Sequence, residues 1–144
     1  MLGELNKKET LDLLENNFIG RIGCHAHGET YIAPINYLYR DNTIYAHSGP
    51  GKKIEMMRIN PAVCFEIDEI DDTFRWKSVI IQGKYEELAE QERQQVLQEL
   101  IKAISARRDQ ASQNPSHAID PEHQQELIVY KITISEVSGR YESH

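Results

Sequence analysis

The connections between the strand-like segments of this sequence are too short for parallel pairing. Residues 31–39 alternate between two faces, and residues 43–47 follow directly after the turn at Asp41 and Asn42. Alternation with a period of two is typical of a half-buried strand. A parallel pair needs a crossover of a dozen or more residues, whereas an antiparallel pair can be joined by a two-residue turn. The sequence therefore predicts a meander of neighbouring antiparallel strands.

Six strands and three helices account for most of the hydrophobic pattern along the chain. The predicted strands cover residues 18–24, 31–39, 43–47, 62–68, 74–83 (continuing towards 88) and 127–137. The predicted helices cover residues 6–16, 52–59 and 90–108, with an acidic turn at 69–72 and a polar loop at 109–125. Antiparallel strands with short connections leave exposed edges unless they close on themselves. The pattern predicts a mainly β (α+β) fold, a small six-stranded barrel with peripheral helices, in a single domain over residues 1–144.

Charge and composition exclude several classes of protein. The 23 acidic residues outnumber the 16 basic ones, which gives a net charge of −7 and disfavours binding to a nucleic-acid backbone. The sequence has no apolar run near the roughly 18 residues that a membrane span needs, and its first residues lack the apolar core of a signal peptide. Two cysteines are too few for a disulfide framework. We therefore expect a cytoplasmic protein with no nucleic-acid or membrane partner.

The stretch from residue 45 to residue 53 has the features of a phosphate site. His47 and Ser48 end a predicted strand, glycines flank a proline at 49–51, and Lys52 and Lys53 open a predicted helix. Glycines let backbone N–H groups approach an anion, and a helix N-terminus adds free donors and a partial positive charge. Two lysines there oppose the helix dipole, which indicates a negatively charged ligand. The spacing differs from a Walker loop. The alternative is a solvated turn with ordinary surface lysines.

Two other strands carry residues that suit a planar ligand. Pro34 removes a hydrogen-bond donor from its strand, which is tolerated at an edge or a bulge. The N–H groups of Ile35 and Asn36 are then able to face a heterocycle. Trp76 and Ser78 share one strand face, so an aromatic plane and a hydroxyl point the same way. The alternatives are an ordinary edge proline and a core tryptophan beside a surface serine.

Cys24, His25 and His27 form the one cluster that invites a metal interpretation. A structural zinc site uses four ligands, and no second cluster stands at a matching spacing. We therefore expect no metal site, and we expect this segment to lie away from the lysine-bearing turn. The sequence also shows no nucleophile–base or paired-carboxylate motif, so it identifies no catalytic residue by motif.

Taken in order, these segments resemble the FMN-binding split barrel of the pyridoxamine 5′-phosphate oxidase-like superfamily, in particular its small nitroimidazole-resistance (Nim)-like branch. The resemblance extends over roughly residues 5–142 and depends on the shared order and spacing of short motifs. These motifs are GRIG at 20–23, YIAPINY at 31–37, IYAHS at 44–48, GKK at 51–53, NPAVCFE at 60–66, WKSVIIQG at 76–83 and SGR at 138–140.

The resemblance implies a six-stranded antiparallel split barrel that forms a homodimer, with FMN in clefts at the subunit interface. Lys52 and Lys53 match the basic residues at the FMN phosphate, and His47 and Ser48 match the adjoining strand end. The resemblance also implies that Pro34, Ile35 and Asn36 lie on the strand that lines the isoalloxazine ring. Trp76 and Ser78 match a second strand, whose polar position reaches the flavin.

The implied function is an FMN-dependent oxidoreductase that acts on a small planar or nitro-aromatic substrate. His47 is the candidate proton donor, because its side chain titrates near neutral pH. One alternative is a flavin-binding or sensing protein without turnover on the same fold. Another is a heme-binding protein, which would need an axial histidine such as His25, His27 or His47.

Overall fold

The computed structural model describes residues 1–111 and 126–144, including side chains except at 108–111. In chain order, the elements are β1 (Leu2–Glu4), α1 (Lys7–Glu15), β2 (Ile19–Ala26), β3 (Glu29–Asn36), β4 (Leu38–Arg40), β5 (Thr43–Ser48), α2 (Lys52–Ile59), β6 (Ala62–Asp72), β7 (Arg75–Glu87), α3 (Glu90–Ala111) and β8 (Ile128–Glu142). The strands form one sheet in the order β3-β2-β6-β7-β8-β5-β4, with β1 beside β8. Every pairing is antiparallel, which confirms the predicted mainly β class.

The two ends of this sheet belong to one bent segment of the chain. β3 ends at Asn36 and β4 begins at Leu38, and these strands pair with β2 and β5 respectively. Tyr37 lies between them, fully buried, with its ring edge-on to Phe65 at a centroid distance of 5.1 Å. The path of paired strands therefore returns to the segment where it began, although β3 and β4 do not pair with each other. This open, barrel-like sheet is the split-barrel architecture that the sequence predicts.

The described residues form eight strands where the sequence predicts six. The predicted strand at 31–39 divides at Tyr37, β1 is additional, and β8 runs on to Glu142 rather than ending at 137. The predicted acidic turn at 69–72 is wrong, because these residues belong to β6 and the turn lies at 73–74. Pairing of β6 with β7, including Ile70 opposite Trp76, overrides the turn preference of the acidic residues. Of the predicted loop at 109–125, residues 109–111 belong to α3 and the rest lies outside the described residues.

The core lies on the inward face of the sheet. The alternation predicted for residues 31–39 is confirmed, since Ile35 and Tyr37 are buried whereas Pro34 and Asn36 are exposed. The largest fully buried side chains of the sheet are Ile22, Tyr37, Ile44, Phe65, Ile67, Ile81, Tyr130 and Ile132. A second cluster forms where Val96, Leu97 and Leu100 of α3 pack near Leu88 and Val129. Burial of each large apolar side chain contributes roughly 1.5–3 kcal/mol.

A two-residue turn joins β2 to β3. His27 and Gly28 have φ values of 52° and 75°, and Ala26 pairs directly with Glu29. Positive φ at both central positions is the geometry of a tight hairpin turn that matches the twist of its strands. The turn fixes the position of Glu29 at the start of β3.

No helix within residues 1–111 and 126–144 combines the length and the apolar character that crossing a bilayer requires.

Candidate functional site

Helix α2 places the two predicted phosphate-binding lysines. It packs on β2 through its buried residues Ile54 and Met57, and its C-terminal neighbour Asn60 donates a 2.8 Å hydrogen bond to the carbonyl of His25. Lys53 directly precedes the buried Ile54, so its side chain lies at the edge of the buried face of α2. Lys52, the first residue of the helix, stays half exposed.

The N-terminus of α2 is open. Gly51 occupies the N-cap position, and no side chain caps the helix. A Cβ atom added at Gly49 or Gly51 would meet no atom within 4 Å. The first N–H groups of a helix have no partner within the helix, so an uncapped N-terminus retains donors for an anion.

Lys53 and His47 lie side by side in a half-buried site, and among the described residues the Lys53 ammonium has no counter-ion. Burial lowers the pKa of Lys53, and the neighbouring Cys24 thiol opposes this only partly. No carboxylate in the described ranges pairs with the Lys53 ammonium. His47 Nδ1 is buried and has no hydrogen-bond partner in the part of the chain that the structure describes. Burial together with the Lys53 charge lowers the His47 pKa. A half-buried ammonium beside an unpartnered ring nitrogen fits an anionic ligand, which would pair with both groups.

Lys52 has a different environment. Its Nζ donates to Glu29 Oε2 at 2.5 Å, and this hydrogen bond is the main cause of its raised pKa. The same ammonium lies 5.8 Å from the centre of the Tyr31 ring. Lys52 is thus already paired, whereas Lys53 is not.

The other predicted residues near this turn have mixed environments. Ser48 Oγ donates to the carbonyl of Gly49 at 2.8 Å, so the hydroxyl hydrogen already forms a hydrogen bond within the loop. Pro34 and Asn36 are exposed, whereas the side chain of Ile35 is buried. Among the described strands β3 pairs only with β2, so half of its backbone polar groups point away from the sheet. Pro34 therefore occupies an edge strand, as its chemistry predicts.

Trp76 and Ser78 do not meet the lysines within one chain. Ser78 pairs with Asp68 towards the far end of the β6–β7 hairpin and lies on the outward face of the sheet. Lys53, by contrast, neighbours the inward-facing Cys24. Trp76 Nε1 donates to a carboxylate of the adjacent strand β8 at 3.1 Å. The structure brings together Lys53 and His47 but leaves Trp76 and Ser78 apart from them.

The expectation that the Cys24 segment lies away from the lysines is wrong for Cys24. The packing of α2 on β2 brings Lys53 beside its thiol. Cys24 and His25 point to opposite faces of β2, and His25 Nδ1 instead lies 2.9 Å from Thr30 Oγ1. Within residues 1–111 and 126–144, no group of three or more His, Cys, Asp or Glu side chains is placed to hold a metal ion.

Sequence reasoning did not identify three neighbours of this site. Glu29 and Tyr31 reach it because the β2–β3 hairpin lies next to α2, which no local motif reveals. Tyr130 lies beneath it on β8, fully buried, and no described residue forms a hydrogen bond with its hydroxyl. Burial raises the pKa of Tyr130, with Cys24 as a smaller cause. Both Tyr130 and His47 thus present unpartnered polar atoms in the interior.

The outward face of the sheet carries a groove of about 460 Å³ whose lining includes Gly23, Ile32, Cys64 and Gln82. Ile32 is exposed over 69% of its surface, and Ile80 on β7 over 43%. Such apolar exposure on a sheet face is typical of a surface that another protein covers.

A family model described as Pyridoxamine 5′-phosphate oxidase matches residues 6–141. Among solved structures, an FAD-binding protein from Mesorhizobium loti is 33% identical, with 99% of each chain covered and a TM-score of 0.81. A structure from Bacteroides thetaiotaomicron, described as a candidate 5-nitroimidazole antibiotic resistance protein, is 20% identical and shares the fold. That alignment covers 98% of this chain and 87% of that one, with a TM-score of 0.75.

A curated relative adds a shorter match. An uncharacterized protein of Rhizobium meliloti (strain 1021) is 36% identical over 84 residues, which are 58% of this chain and 56% of that protein. The chain thus spans little more than half the length of the curated relative that it matches. The family model, by contrast, matches nearly the whole chain, and the split-barrel sheet agrees with it. This chain belongs to the pyridoxamine 5′-phosphate oxidase family.

Proposed function

We propose that this chain is a flavin-dependent oxidoreductase that binds FMN, or the FMN moiety of FAD, at the N-terminus of α2 and acts on a small planar or nitro-aromatic substrate in the cytoplasm. The observation that carries the proposal is the half-buried Lys53 ammonium beside Nδ1 of His47, neither of which has a carboxylate or hydrogen-bond partner within residues 1–111 and 126–144. Family membership and the FAD-binding relative from Mesorhizobium loti support a flavin as the ligand.

The hydrogen-bond donors at the start of α2 suit the phosphate of a flavin. Lys53 would supply an ammonium, His47 a ring N–H, and the uncapped start of α2 its backbone N–H groups. Gly49 and Gly51 leave open space through which a phosphate reaches the backbone. A hydrogen bond between a charged donor and a phosphate contributes about 1.5–3 kcal/mol.

The edge of β3 is the surface that we assign to the flavin ring, with Pro34, Ile35 and Asn36 lining it through backbone groups. The flavin supplies the redox chemistry when bound, and the chain binds and orients it. In the ligand-free protein, burial and the Lys53 charge lower the His47 pKa and so disfavour its protonated form. A phosphate beside it would raise that pKa, so proton donation by His47 depends on an occupied phosphate site.

A homodimer with flavin at the subunit interface would complete the site. Trp76 and Ser78 lie on the outward face of β7, apart from the lysines of their own chain. If the outward faces of two copies pack together, these residues are able to reach the flavin of the other subunit. The exposed Ile32 and Ile80 on that face support this arrangement.

The test is a visible spectrum of the purified protein, followed by titration with FMN and FAD. We expect flavin absorption bands, and a Soret band would instead indicate heme. Reduction of the bound flavin by NADH or NADPH, with turnover of a nitro-aromatic acceptor, would support the oxidoreductase. Bound flavin that neither nucleotide reduces would favour a binding or sensing protein without turnover.

A further inference from the structure

The two adjacent lysines at the start of α2 differ in the charge that they offer a ligand. Lys53 has no carboxylate partner in the part of the chain that the structure describes, whereas Lys52 donates to Glu29. The three side chains together therefore present a single net positive charge. The consequence of this difference for flavin binding depends on the flavin site proposed above.

We propose that Glu29 is a specificity-determining residue of the flavin site. By pairing with Lys52, it disfavours the doubly charged phosphate monoester of free FMN relative to FAD, in which the same phosphate carries one charge. Glu29 thus determines how strongly the site prefers one flavin over the other.

The position of Glu29 is fixed by the fold. It is the first residue of β3 and follows the tight turn of His27 and Gly28, which fixes its backbone beside the start of α2. Lys52 is likewise fixed as the first residue of α2, and its ammonium lies between Glu29 and the Tyr31 ring. The ion pair therefore belongs to two rigid elements rather than to a flexible loop.

The charge of the ligand decides the size of the effect. A phosphate monoester carries about −1.5 to −2 charges at pH 7. FAD also carries a second negative charge, but on its other phosphate, beyond the bridging oxygen. Coulomb energy is proportional to charge and falls with distance, so a carboxylate beside the riboflavin phosphate repels the monoester more strongly than the diphosphate, by less than about twofold. The Glu29 and Lys52 side chains are 54% and 53% exposed, so solvent screens the repulsion and the effect is modest.

The experiment measures dissociation constants for FMN, FAD and riboflavin with the wild-type protein, Glu29→Gln, and Glu29→Gln combined with Lys52→Met. We expect Glu29→Gln to tighten FMN binding about two- to fivefold, to tighten FAD binding less, and to leave riboflavin unchanged. The double variant should return FMN to near its wild-type affinity, because the gain depends on the released Lys52. Asp12→Asn, which breaks the exposed pair with Lys8 on α1, is the matched control and should change none of the three.

Equal changes in FMN and FAD affinity on Glu29→Gln would overturn the specificity role of Glu29, as would a loss of FMN affinity. Retention of the full gain in the double variant would overturn the part played by Lys52. The flavin site itself has a separate readout, which is tighter binding of FMN than of riboflavin by the wild-type protein. If that difference were absent, the phosphate site and the inference built on it would both fail.

Discussion

The hydroxyl of Tyr37 donates a 2.7 Å hydrogen bond to the carbonyl oxygen of Leu14. Leu14 lies in the last turn of α1, where carbonyl groups have no partner within the helix. The bond thus satisfies a buried acceptor and ties the bend between β3 and β4 to α1.

Replacement of Tyr37 by Phe should destabilise the fold by about 1–3 kcal/mol, because it leaves the Leu14 carbonyl buried without a donor. Urea unfolding measures the change. Tyr39→Phe, on the neighbouring strand and only half buried, is the control and should have a smaller effect. Unfolding midpoints that coincide for Tyr37→Phe and the wild type would show that the hydrogen bond contributes nothing net.

Lys53→Ala should weaken FMN binding about 10- to 150-fold, the factor that corresponds to loss of a charged hydrogen bond to phosphate. Lys8→Ala provides the comparison, since Lys8 lies on an exposed helix face 3.8 Å from Asp12. Titration with FMN and with riboflavin separates the phosphate contribution from that of the ring. Equal FMN affinities for the two variants would exclude Lys53 from the phosphate site.

The wild-type chain should sediment as a dimer of the 16.6 kDa subunit, with the outward face of β7 in the interface. Ile80→Lys would place a charge in that interface and should shift the protein towards monomer, together with a loss of flavin affinity. Ile59→Lys, at an exposed position at the end of α2, should leave the dimer intact. A wild-type protein that sediments as a stable monomer would contradict the shared flavin site.

Stability of the flavin-free protein should fall as the pH drops below about 6.5. The His47 pKa is lowered in the folded chain, so the unfolded chain binds the proton more readily. The stability from neutral His47 is therefore present above the unfolded pKa and is lost as pH falls towards the folded pKa. Denaturant unfolding between pH 7.5 and pH 5 should show a shallower decline for His47→Asn than for the wild type.

The control for this pH dependence is His27→Asn, because His27 is exposed in the β2–β3 turn and asparagine accepts its positive φ. The free energy of unfolding of this variant should decline with falling pH as steeply as that of the wild type. If His47→Asn showed the wild-type slope as well, another group would be responsible for the pH dependence.

The sequence predicts the strand faces well because a period of two requires only local information. Ile35 and Tyr37 are buried as their alternation indicates. The division of that strand at Tyr37 depends on two different partner strands, which alternation does not reveal. The continuation of β6 through Glu69 likewise depends on its pairing with β7.

The site was predictable in part for the same reason. Lys52 and Lys53 follow a glycine-rich turn, and that local pattern indicates an anion site. The sequence does not distinguish the two lysines, because Glu29 lies 23 residues before Lys52 and meets it only through the packing of α2 on β2. The separation of Ser78 from the lysines is also a property of the sheet order.

The place of β8 in the sheet affects how the chain folds during synthesis. β8 pairs with β1, β5 and β7, yet it is the last of these strands to leave the ribosome. Until then, β5 and β7 each have one unpaired edge, and the two halves of the sheet have no strand between them. The sheet is therefore completed only after residue 142 has been translated, and until then the nascent chain exposes two unpaired strand edges that are able to pair with other proteins.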